Sequence, residues 1–205
     1  MKLETRKLIC NGIFAGLMIG IGCAVYLACE NKLVGAVMFS AGLFFILSNG
    51  GTLLTGICGL KTPWLRLCAV LGLNTVGALI AGVLTWPAMK LAQPAATVVM
   101  NKMAAHPLSW LTNGILCGML VHLAVMGYKR AKDTPHALAS VLYAIPAFIV
   151  AGFEHSIADL GYLAIALPAL SLMQVLKMLG LILVVVAGNV IGSKALRICL
   201  EDLQQ

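Results

Sequence analysis

From Leu8 to Cys29 the chain carries no charged residue, and runs of this kind recur along its length. An α-helix crosses the hydrocarbon core of a bilayer with about 20 apolar residues. Runs near 9–29, 34–58, 65–89, 108–128, 137–171 and 172–196 meet that requirement. Composition agrees. The 205 residues are 61% hydrophobic and 10% charged, against about 25% charged in a soluble domain. A soluble fold of this length could not hide so much apolar surface. Short connections leave no room for a soluble domain, so one domain, 1–205, is expected. Lys2, Arg6 and Lys7 precede the first run as in a signal peptide, but the run exceeds the 7–15 residues of an h-region. It reads as the first span.

The net charge of +7 does not indicate a nucleic-acid partner, because its distribution has a different logic. With the N-terminus inside, Lys2, Arg6, Lys7, Lys61, Arg66, Lys129, Arg130, Lys132, Lys194 and Arg197 lie on the inner side. Lys32, Lys90, Lys102 and Lys177 lie outside. Ten against four is the positive-inside pattern, which orients both termini to the cytoplasm, where basic residues also meet anionic lipid. The seven cysteines have no metal-ligand spacing, and only Cys29 falls near the outer side. They read as small buried apolar residues. No P-loop or nucleophile motif occurs, and no cofactor or metal is expected.

Two spans are interrupted. In the second, Ser48-Asn-Gly-Gly-Thr-Leu-Leu-Thr-Gly56 places three glycines close together, each costing a helix about 1 kcal/mol relative to alanine. In the fifth, Gly152-Phe-Glu-His-Ser-Ile-Ala-Asp159 sets an acid, an imidazole and a second acid inside apolar sequence. After each break comes Asn-x-(Val/Ile)-Gly, at Asn74–Gly77 and Asn189–Gly192. The chain thus divides into halves of three spans, about 1–90 and 103–200. An odd number of spans per half gives the halves opposite orientation. Interruptions at matching positions of inverted halves point to a substrate path, since irregular backbone at membrane depth must be buried in protein or line a cavity.

Ionisable groups at that depth cost about 3 kcal/mol each on insertion scales, so the second break is the candidate site. His155 can donate and accept hydrogen bonds and exchange a proton near neutral pH; it can equally satisfy backbone freed by the break. Glu154 is expected to hold the break by accepting backbone N–H bonds, and Asp159 to cap the helix that resumes. Thr55 and Asn189 are uncharged groups that serve either a permeating anion, as pore linings do, or the local backbone. Lys102, before the fourth span, either draws anions to an entrance or is simply solvated. His122 reads as a helix-to-helix hydrogen-bond donor. Trp64, Trp86 and Trp110 read as interfacial anchors. Three function classes follow: an anion path, a membrane enzyme using Glu154, His155 and Asp159, or a channel for neutral solutes.

Gly152-Phe-Glu-His-Ser-Ile-Ala is similar to the signature of the formate/nitrite transporter family. Gly51-Thr-Leu-Leu-Thr-Gly56 resembles that family's second-span loop, Gly188-Asn-Val-Ile-Gly192 its sixth-span motif, and Gly114–Val125 its fourth span. The resemblance covers nearly the whole chain in the right order. It implies an all-α integral membrane fold of six transmembrane helices: an aquaporin-like inverted repeat with broken second and fifth spans, assembled as a homopentamer with one pore per protomer. It implies passage of small monovalent anions such as formate, nitrite or hydrosulfide, often with a proton, across a prokaryotic cytoplasmic membrane. By the same resemblance the central histidine is His155, with Thr55, Asn189 and the vestibule lysine Lys102 on the path. The apolar constrictions match Phe39, Leu43, Leu53, Leu54, Val121 and Phe148. The sequence departs from the family pattern at Thr52, usually an acid, at Leu54, usually Phe, and at Gly118 and Asp159, where Asn is common.

Overall fold

The computed structural model describes residues 2–88 and 90–202. Met89, the last residue of the third expected span, lies outside the described residues, as do Met1 and 203–205 at the ends of the expected domain. Helices account for nearly all the rest. Four are long and apolar enough to cross a membrane: α1 (Leu3–Ala28), α4 (Trp64–Thr85), α6 (Pro107–Arg130) and α9 (Leu172–Asp202). Local chemistry starts some of them cleanly. Pro107 opens α6, where its missing N–H is no loss, and His106 Nδ1 accepts the N–H of Leu108 at 3.2 Å. Asn31 starts α2 (Lys32–Ser48) by accepting the N–H groups of Leu33 and Val34 at 2.9 and 3.2 Å.

Where one run was expected over 34–58, the chain forms α2, an irregular segment, and the single turn α3 (Leu54–Ile57). Where one was expected over 137–171, it forms α7 (Pro135–Val150), a second irregular segment, α8 (Ser156–Ala166) and a 3-10 turn, Leu167–Ala169. Both irregular segments contain a glycine with φ of +72°, Gly50 and Gly152, in the left-handed region that side-chain-bearing residues avoid. These two glycines turn the chain out of one helix and toward the next.

A helix not expected from the sequence, α5 (Ala92–Ala104), lies in what read as an outer loop. Its buried residues, Ala92, Ala95, Ala96, Val99 and Met103, follow the i, i+3, i+4, i+7 spacing of one helical face. That face was readable, but Gln93, Pro94, Asn101 and Lys102 lowered the local hydropathy.

α1 packs along α4 and α6 along α9, while α8 lies among α1, α4, α5 and α9. Every residue of α8 from Ser156 to Ala166 is buried. A Cβ at Gly16 would collide with the carbonyl of Asn74, and one at Gly118 with the carbonyl of Asn189. Both long-helix pairs therefore depend on a bare glycine facing an asparagine backbone. Leu65, Leu84, Leu172 and Leu183 stand exposed on the outside, the arrangement expected when lipid rather than water is the surrounding solvent.

Candidate functional site

Two asparagines hold the irregular segments in place, and they do it in the same way. Asn74 Oδ1 accepts the N–H of Leu54 at 2.8 Å, and its Nδ2 donates to the carbonyls of Gly12 and Thr52 at 2.8 and 2.9 Å. Asn189 Oδ1 accepts the N–H of Ser156 at 3.0 Å, and its Nδ2 donates to Gly114 and Glu154 at 2.8 and 2.9 Å. The surrounding backbone repeats too. Thr52 N–H donates to Asn11 and Glu154 N–H to Asn113; Gly51 N–H donates to Ile46 and Phe153 N–H to Phe148. Buried backbone left without partners would cost about 1–3 kcal/mol per group, so each amide is what makes its break tolerable. Both hydrogens of Asn189 are therefore spent on carbonyls, whereas the sequence also allowed it a place on a solute path. Asn74 was not among the candidate residues. Its signal was the recurring Asn-x-(Val/Ile)-Gly pattern.

His155 sits at the second break, immediately before α8. Its Nδ1 accepts the N–H of Ala158 at 3.0 Å, and its Nε2 lies 2.9 Å from Thr55 Oγ1. An acceptor at Nδ1 requires the neutral ring to carry its hydrogen on Nε2, which then donates to the Thr55 hydroxyl. The two breaks, far apart in sequence, thus touch through one side-chain hydrogen bond. Phe148 stacks on the imidazole with centroids 5.7 Å apart, and Phe39 packs edge-on against Phe148 at 6.4 Å. Both His155 and Thr55 are buried.

The acids have different tasks from those expected. The helix cap assigned to Asp159 is made by His155 Nδ1, because the capping position precedes α8 and Asp159 lies one turn inside it. Asp159 Oδ1 instead faces Lys102 Nζ at 3.0 Å. The Glu154 carboxylate, expected on backbone N–H groups, pairs with the same ammonium; only the backbone of Glu154 serves the break. Lys102 is thus bound by two carboxylates rather than solvated. Trp110, read as an interfacial anchor, donates its indole N–H to the carbonyl of Lys102 at 3.0 Å and fixes the end of α5.

A cavity of about 160 Å³ opens over these groups, lined by Phe39, Lys102, Phe148, His155, Asp159 and Tyr162 among others. A second, of about 40 Å³, is lined by Leu43, Leu53, Ile57, Val125 and Lys129. Phe39 and Leu43 lie four residues apart on α2, about one helical turn, so the cavities are neighbours; His155 lines the first, and Leu53 and Gly56, on either side of Thr55 in sequence, line the second. Of the expected constriction residues, Phe39 and Phe148 line the first cavity, and Leu43 and Leu53 the second. Leu54 and Val121 are buried and line neither. His122 is also buried and makes no hydrogen bond among the described residues, contrary to its expected role. It borders a separate cavity with Arg130 and Arg197. No cluster of metal-binding side chains occurs among the described residues.

Long apolar helices around a buried polar centre define a multi-pass membrane protein. The chain belongs to the formate/nitrite transporter family, whose model matches residues 1–200. Its class is that of transporters, not enzymes, and the enzyme reading of Glu154, His155 and Asp159 is set aside. An uncharacterized transporter of Bacillus subtilis (strain 168), YwcJ, is 29% identical over 150 residues, a match covering 64% of this chain and 58% of the relative. The fold is similar to that of a pentameric formate channel with formate bound, with TM-score 0.84 and 21% identity over 99% of each chain. It is also similar to an FNT family ion channel, with TM-score 0.79 and 20% identity over 97% of this chain and 88% of the other.

Proposed function

We propose that this protein is a channel for the small monovalent anions of weak acids, formate, nitrite or hydrosulfide among them, moved together with a proton. The observation that carries this reading is the buried His155–Thr55 hydrogen bond, its histidine bordering a small cavity with Phe39 and Phe148. In this reading the second and fifth of six spans are the interrupted ones, α2 with α3 and α7 with α8, and the chain is one domain of two inverted halves. Both termini lie in the cytoplasm of a prokaryotic cell, and five copies assemble with a path through each. The pentamer rests on the likeness to the pentameric formate channel.

A bare anion between apolar walls loses hydration that the walls do not replace, so the undissociated acid crosses more easily. His155 Nε2–H supplies a hydrogen bond midway, with Thr55 as its resting partner. A further proton on Nδ1 would break the cap on α8, so the role that fits the hydrogen bonds is donation, with the travelling proton drawn from water. Phe39 and Phe148 on one side and Leu43 and Leu53 on the other exclude hydrated ions. Lys102, held by Glu154 and Asp159, forms the polar mouth of the first cavity.

Flux in proteoliposomes containing His155→Asn tests this. Asn can still cap α8 through its short side-chain oxygen but cannot reach Thr55. The expected outcome is a correctly assembled protein with formate flux reduced about a hundredfold, the lower end of the range for losing one positioned donor. Unchanged flux would overturn the role of His155. Water or glycerol permeability exceeding formate permeability in the wild type would favour a neutral-solute channel.

A further inference from the structure

A cavity of about 200 Å³ lies apart from the two beside His155 and Leu53 and shares no lining residue with either. It opens where the C-terminal ends of α6 and α9 meet the chain that follows α3. Leu60, Met126 and Leu200 are its apolar walls, and His122, Arg130, Arg197 and Glu201 its polar groups. Two guanidinium groups against one carboxylate leave a formal charge of +1. Arg197 Nη1 donates to both oxygens of Glu201 at 2.8 Å. Among the described residues its Nη2 makes no hydrogen bond, and its buried Nε has no partner either. None of the ion pairs among the described residues involves Arg130. His122 is buried at the cavity wall. The Nδ1–Cε1 edge of its ring is pressed against Gly59, where a Cβ would collide with it, which leaves the Nε2–Cδ2 edge to the cavity. Burial of a donor without a partner is costly, and His122 and Arg197 both incur that cost around one space.

A guanidinium presents its N–H groups in a planar fork that matches the oxygens of a phosphate. Arg130 and Arg197 both lie on the side expected to face the cytoplasm, and basic pockets between spanning helices on that side suit the headgroups of anionic lipids. Leu123 and Ile198, next in sequence to His122 and Arg197, are exposed, so an apolar chain attached to the phosphate has a surface to follow. The C-terminal ends of α6 and α9 disfavour an anion, but that effect is weak and confined to the last turn, and two guanidinium groups outweigh it. We propose that this cavity binds a phosphate group, held by Arg130 and by the unpaired side of Arg197, with His122 Nε2 as a third donor. The ligand class is a phosphate-bearing anion, either the headgroup of an anionic phospholipid or phosphate free in solution. The site is separate from the His155 cavity, and its occupancy does not depend on the channel reading.

The test uses the purified full-length protein in uncharged detergent, heated and then read by size exclusion for the assembled fraction. Phosphatidylglycerol, phosphatidylcholine and inorganic phosphate are titrated separately at matched ionic strength. A ligand that binds only the folded protein stabilises it according to its occupancy, so saturable stabilisation by phosphatidylglycerol is expected. Stabilisation by phosphatidylglycerol alone assigns the site to a lipid headgroup; stabilisation by inorganic phosphate as well assigns it to phosphate without the lipid. Arg130→Gln and Arg197→Gln should each raise the half-saturating concentration at least about tenfold, as for the loss of one charge-assisted hydrogen bond, and the double variant should abolish saturation. Lys132→Gln removes a charge two residues past the end of α6 and outside the cavity. It should raise that concentration about fivefold at most, the general attraction of one basic residue for an anionic surface. The site would be overturned if neither phosphatidylglycerol nor inorganic phosphate stabilised the protein, or if uncharged phosphatidylcholine did so equally well. Weakening by Lys132→Gln as large as that by Arg130→Gln would also overturn it, since the attraction would then belong to the whole basic surface. Should Arg197→Gln fail to assemble, Arg130→Gln against Lys132→Gln decides, because both side chains are exposed.

Discussion

At the scale of single residues, the His155–Thr55 hydrogen bond of 2.9 Å ties the second interruption to α3. His155 stood out because an imidazole amid apolar sequence is expensive, and it does join the two breaks. Asp159 and Glu154 were legible as acids that needed a partner. That the partner is Lys102, more than 50 residues from either, depends on how α5 folds back, which no local pattern encodes. Asn74 and Asn189 make a prediction of their own. Replacing either with Ala removes three hydrogen bonds to buried backbone, each worth about 1–3 kcal/mol when its partner is left unsatisfied. Both variants should lose assembly in detergent to a similar degree, read by size exclusion after a heat step. An Asn189→Ala protein that assembles normally and loses only flux would instead make its amide a group on the path.

At the scale of elements, the interruptions were readable because glycine clusters and a polar octapeptide have no place in a continuous spanning helix. Their geometry was not readable. Gly50 and Gly152 share a φ of +72°, yet nothing lies within 4 Å of where a Cβ would be at either position. A substitution there is therefore a test of backbone conformation alone. Gly152→Ala should destabilise the protein by about 1–2 kcal/mol, the usual cost of a left-handed residue with a side chain, with assembly and flux retained. Loss of several times that amount would mean that the turn carries packing beyond its φ. α5 escaped notice for the opposite reason: its one buried face is made mostly of alanines, whose contribution to hydropathy is small.

At the scale of the whole molecule, the distribution of lysine and arginine predicts an orientation that can be measured. Cys199 is exposed beyond the last expected span, and Cys29 is partly exposed at the far end of the first. With both termini inside, a membrane-impermeant maleimide applied to intact cells should label a variant retaining only Cys29, and should label one retaining only Cys199 only after the cells are opened. Labelling in the reverse order would invert the topology. That the chain is helical and belongs in a membrane was legible from the residues alone, because apolar run length and backbone hydrogen bonding in lipid leave few alternatives. So were the places where the helices fail, because those failures are local. Packing settled which polar groups meet. It joined His155 to Thr55, spent both Asn189 hydrogens on backbone, and closed two carboxylates around Lys102. Those pairings arise because lipid offers buried polar groups no partner, so each must find one wherever packing brings the helices together.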